Sequence, residues 1–144
     1  MALDDKKLPP DLTADPAIAA DFRGRLESGL LPCQAAFDAA GRLGVGPGDV
    51  GRTADALAIR LTRCQLGLFG FPGHAKGWAA AGATERPIPS GLKEALLAAR
   101  DGRGDLSCLA IWREAERFGV DRIQAGYVAD SLGVPIRHCQ LGAF

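Results

Sequence analysis

Four cysteines and two clusters of long polar side chains are the residues of this chain whose types and spacing could do chemistry. Cys33 and Cys64 are 31 positions apart, as are Cys108 and Cys139. Beside the second member of each pair stand Arg60, Arg63 and Gln65, and Arg137, His138 and Gln140. Thiolates can hold zinc or an iron–sulfur cluster, but structural zinc takes four ligands, usually as closely spaced pairs. A spacing so unlike Cys-x-x-Cys makes a metal site depend on all four thiols converging. Otherwise they are small buried hydrophobes. The arginine and glutamine clusters suit base edges, Arg pairing with guanine and Gln with adenine. His74 and His138 are the only histidines, and neither has a neighbour that would complete a nucleophile or zinc motif. No phosphate loop, nucleophile elbow or carboxylate pair is recognisable, so the expectation is a protein that is not an enzyme.

The elements that must position these groups come from a duplication. Shifting the sequence by 75 positions aligns Leu31–Phe69 with Leu106–Phe144 without a gap, and 16 of the 39 pairs are identical. The strings Cys64-Gln65-Leu66-Gly67-Leu68-Phe69 and Cys139-Gln140-Leu141-Gly142-Ala143-Phe144 close the two copies. Two copies do not make a solenoid; they make two small domains. The expected division is an unstructured arm over 1–14, repeat 1 over 15–69, a linker or wing-like excursion rich in Gly, Ala and Pro over 70–89, and repeat 2 over 90–144. Domains of about 60 residues are near the lower limit for folding alone, so the halves should bury surface against each other.

Each repeat reads as three helices. Asp15-Pro16 starts the first, with Asp as N-cap and Pro at the first helical position, and Ile18, Phe22 and Leu26 recur every four residues. Its counterpart begins at Ser90 and lines up Leu92, Ala95, Leu96 and Ala99. The second helix opens at Pro32 or after Ser107, with an apolar stripe through Cys33, Ala36/Phe37, Ala40 and Leu43, or Cys108, Ile111/Trp112, Ala115 and Phe118. It stops at Gly44-Val45 or Gly119-Val120, where glycine can take the left-handed conformation that closes a helix. The third runs from about Pro47 to Ala58, and from about Arg122 to Leu132 with Asp121 as N-cap.

The letters Ala40, Leu43, Gly44, Val45, Val50 and Ala115, Phe118, Gly119, Val120, Ala125 resemble the helix-turn-helix pattern of bacterial DNA-binding domains. A competing register, Ala129, Leu132, Gly133, Val134, Cys139 with Ala54, Leu57, Ala58, Ile59, Cys64, makes helices of "RLTRCQLG" and "PIRHCQLG" but lacks its turn glycine in copy one. In the first register Ile59 and Leu61, or Val134 and Ile136, alternate as strands, which is similar to a winged-helix domain. The fold class expected is mostly α: two tandem helix-turn-helix, winged-helix-like, three-helix domains with short extended segments, related by a pseudo-twofold axis. "FGFPGHAKGW" can supply a wing in copy one; copy two has none unless the halves complete each other.

That resemblance implies a regulator acting as a pseudo-dimer on double-stranded DNA. The contacts would come from Arg52, Arg60, Arg63, Gln65, Arg122, Arg137, His138 and Gln140. A protein-interaction adaptor on the same fold is the alternative, with Cys33, Cys64, Cys108 and Cys139 as zinc or iron–sulfur ligands in a further variant. Net charge opposes strong binding to nucleic acid, because 17 Lys and Arg balance 17 Asp and Glu. Only residues 51–86 are basic, with 5 positive side chains against 2 negative. Trp78 is expected to anchor the linker and His74 to be solvated. Charges where a leader would need its apolar core, and no apolar run of membrane-spanning length, point to a cytoplasmic protein without a membrane partner.

Overall fold

The computed structural model describes residues 7–144. Those residues are mostly helical, with six helices and four two-residue strands in the order α1 (Pro16–Asp21), β1 (Leu31–Pro32), α2 (Cys33–Leu43), α3 (Pro47–Ala56), β2 (Leu61–Thr62), α4 (Leu92–Ala98), β3 (Leu106–Ser107), α5 (Cys108–Phe118), α6 (Arg122–Ser131) and β4 (Ile136–Arg137). They form two compact units: the chain up to Cys64 together with Gln140–Phe144, and Gln65–Cys139. The units therefore part from the repeats at Cys64–Gln65 and Cys139–Gln140. Each unit is closed by the Gln-Leu-Gly segment of the other copy.

In unit 1, Asp15 caps α1 by accepting the backbone N–H of Ala17 at 2.8 Å and of Ile18 at 3.3 Å. The helix is shorter than its apolar spacing suggests: Phe22 is already the C-cap, so Ile18 and Phe22 are buried while Leu26 lies beyond the helix, exposed. Ser28 and Gly29 then make a tight turn with φ of 50° and 78°, which lets Glu27 and Leu30 pair. β1 lies parallel to β2, Leu31 opposite Leu61 and Pro32 opposite Thr62. α2 ends at Gly44 with φ 64°, and α3 starts three residues later. Ile18, Phe22, Leu31, Ala36, Ala39, Val50, Ala54, Leu141 and Ala143 are among the buried apolar residues that fill the unit.

Unit 2 repeats the scheme. α4 contributes Leu92 and Leu96 to the core, whereas Ala95 and Ala99 stay half-buried. β3 lies parallel to β4. Ser107 caps α5 by accepting the Ala110 N–H at 3.1 Å, and α5 ends at Gly119 with φ 65°. Asp121 is the N-cap residue of α6, but its carboxylate bonds to Arg86 rather than to the helix backbone.

The competing register finds no helix to occupy: residues 57–69 and 132–144 contain only a two-residue strand each, followed by turns. Nor does the segment that could supply a wing in copy one form a ladder. "FGFPGHAKGW" closes only the Phe71–His74 bridge, because its prolyl and glycyl corner residues leave no length for a ladder. Beyond β2 and β4 the chain departs instead of forming a hairpin. Arg63 and His138, at equivalent positions, hold φ of 48° and 64°, and the chain leaves its unit immediately afterwards.

The closing segments are received by a glycine on the third helix. A Cβ at Gly51 would overlap the carbonyl of Leu141, and one at Gly126 would overlap the carbonyl of Leu66. Both leucines are almost wholly buried. Trp78 is the anchor expected of it: its indole N–H donates to the Leu66 carbonyl at 2.8 Å, and its ring meets Tyr127 edge-on at 5.5 Å. His74 is exposed.

Of the 1–14 arm, residues 1–6 lie outside the described residues. Residues 7–14 lead through a turn at Pro10-Asp11 to Asp15, whose backbone N–H donates to the Thr53 hydroxyl at 3.1 Å.

Candidate functional site

A helix-turn-helix reads a groove with the second helix of the pair, so the outward faces of α3 and α6 decide what the corner can bind. On α3, Val50, Gly51, Thr53 and Ala54 point inward, which leaves Gly48, Asp49, Arg52, Asp55 and Ala56 as the accessible stripe. Arg52 is ion-paired to Asp49 one turn back. The stripe thus offers one cation against two carboxylates. On α6 the stripe is Arg122, Ile123, Tyr127, Asp130 and Ser131, and Tyr127 is taken up by Trp78.

Arg122 itself is engaged within its unit. Its guanidinium lies 3.6 Å from the centre of the Trp112 ring, and one N–H donates to the Gln65 side-chain oxygen at 2.6 Å. Stacking of this kind draws on the negative face of the indole. A groove of about 380 Å³ opens alongside, lined by Leu109, Trp112, Arg113, Glu116, Val120 and Arg122 among others. Leu109 is exposed there. This stack is missed by sequence reasoning; its only trace in the chain is the Phe37/Trp112 and Pro47/Arg122 differences between the copies.

The remaining sequence candidates divide between the two units. Arg60 is exposed in unit 1, and its carbonyl accepts the Leu31 N–H at 2.9 Å. Arg63 is exposed but paired to Glu27 at 2.6 Å. Arg137 lies 3.3 Å from the buried carboxylate of Asp105. His138 is exposed, its carbonyl accepting the Cys108 N–H at 3.3 Å. Gln65 falls in unit 2, where it accepts from Arg122, and Gln140 falls in unit 1.

The thiols occupy equivalent places. Cys33 and Cys64 come just after the paired ends of β1 and β2, and Cys108 and Cys139 just after β3 and β4. Cys33, Cys64 and Cys108 are each 7% exposed, and Cys139 is half-buried. Among the described residues no group of three or more His, Cys, Asp or Glu is disposed to hold a metal ion. Within its own unit each of the three most buried thiols has the low exposure of a small apolar side chain.

Two carboxylates are held below their ordinary range. Asp21 is lowered by its hydrogen bond from Arg42, at 2.6 Å, with the charges of Arg42 and Arg25 adding to the effect. Asp101 is lowered by accepting the backbone N–H groups of Asp105 and Arg103. Asp101 organises a turn by accepting its backbone N–H groups, whereas Asp21 ends α1 and ties it to Arg42 of α2. Among the described residues no helix is long and apolar enough to cross a membrane. Comparison of the chain with protein-family models, curated proteins and solved structures gave no match.

Proposed function

We propose that this chain is a protein-interaction adaptor made of two fused helix-turn-helix-like modules, α1–α3 and α4–α6, each a winged-helix core without its wing. The observation that carries this reading is the charge on the outward face of α3. It presents Asp49 and Asp55 against a single arginine that Asp49 already pairs. A groove-reading helix needs the opposite balance, since phosphate neutralisation supplies most of the affinity for DNA. Around α5 and α6, by contrast, exposed Leu109, half-buried Trp112 and Arg122 include the residue types that anchor protein interfaces.

Sequence-selective binding of duplex DNA is the second reading. It is favoured by the left-handed glycine that turns α2 into α3 and α5 into α6 at the same position of each copy. A titration of labelled random duplex at low salt distinguishes the two. The adaptor reading expects no saturable binding by the full chain. Saturable binding that falls steeply between about 50 and 200 mM salt, and weakens when Arg60 and Arg137 are changed to Glu, would overturn it in favour of a regulator.

A further inference from the structure

We propose that the slot beside Gly51 accepts the Gln140–Phe144 segment of a second copy of this chain, so that two chains pair by trading it. Leu141 is 2% exposed, Ala143 is 4% exposed, and the Leu141 backbone lies directly on Gly51. Only exposed His138 and half-buried Cys139 lie between β4 and this segment, and His138 is a non-glycine residue in the left-handed region, φ 64°. Such a residue costs free energy in the closed chain that straightening would release.

The occupant is a second copy because the segment is part of unit 1 yet is joined in sequence to the end of unit 2, so that only these hinge residues tie it to the chain before it. The same arrangement recurs where Leu66 lies on Gly126 after the left-handed Arg63. Short strained hinges of this kind invite exchange between chains. Within one chain the segment is present at an effective concentration on the order of millimolar. Exchange between chains therefore sets in when the protein is folded at comparable concentration.

The test is to unfold the full chain together with a version enlarged by a fused tag, refold the mixture at concentrations up to about 1 mM, and measure mass by light scattering after size exclusion. Trading predicts mixed dimers after co-refolding but none after mixing the folded proteins. Leu141→Asp should abolish them. His138→Gly, which suits the closed hinge and so preserves folding, should lower the dimer constant on the order of a hundredfold, because two hinges straighten in each dimer. Monomers at every concentration, or dimers indifferent to His138→Gly and Leu141→Asp, would overturn the proposal.

Discussion

The corner after the third helix differs between the two copies in one atom group and agrees in conformation. Ala58 and Gly133 are equivalent, and they hold φ of 56° and 71°. Five residues on, Arg63 and His138 again share the left-handed region without being glycine. Elsewhere the backbone is kept while side-chain partners change: Arg42 pairs with Asp21 of α1 in unit 1, and its equivalent Arg117 pairs with Glu114 of its own helix in unit 2. The closing segments differ too, since Gly67 is buried beneath Trp78 and Gly142 is exposed. The duplication has preserved where the chain must turn and has let each unit find its own way of holding the turn.

The most damaging change to this symmetry is Trp78→Ala. It removes a nearly buried indole and its bond to Leu66 from unit 2 alone, at a cost of about 3–5 kcal/mol. Chemical unfolding should split into two transitions, the first reported by Tyr127. Gly51→Ala and Gly126→Ala come next. Each pushes a methyl into a carbonyl of its closing segment, costing about 2–3 kcal/mol and exposing residues 137–144 or 62–69 respectively to limited proteolysis. Equal losses mean that the two slots work alike; a loss at only one glycine means that they do not.

Smaller still, Ala58→Gly should stabilise unit 1 by about 1 kcal/mol, and Gly133→Ala should destabilise unit 2 by a similar amount. Thermal melts of the two variants would shift in opposite directions. The least effect concerns acid. Asp21 and Asp101 are below their ordinary 3.8 when folded, so each contributes stability that is present above that value and lost as pH falls through the lower folded value. Asp21→Asn should flatten the acid limb of unit 1's stability curve, and Asp101→Asn that of unit 2.

Local chemistry was readable wherever one residue dictates one conformation. Asp15-Pro16 names a helix start, Gly44 and Gly119 name left-handed helix ends, and Trp78 in a linker of Gly, Ala and Pro names an anchor, because each rests on a preference that needs no distant partner. The exchange was not readable, because Leu66 and Leu141 carry the same local sequence and either could lie on either glycine. A hydrophobic pattern says that a leucine is buried and is silent about which unit buries it. The left-handed Ala58 is hidden for the opposite reason, its conformation being imposed by the fold against its own preference. The arginines of the candidate DNA face are plain in sequence. Their partners are remote, Glu27 for Arg63 and Asp105 for Arg137, so the sequence could not show that these charges are already matched.

That each unit is closed by the other copy's segment can be checked without any mutation, by through-space proton contacts in solution read from the α-protons of Gly51 and Gly126 in a chain of 15.0 kDa. The expected contacts run from Gly51 to Leu141 and from Gly126 to Leu66. Contacts from Gly51 to Leu66 and from Gly126 to Leu141 would refute the exchange.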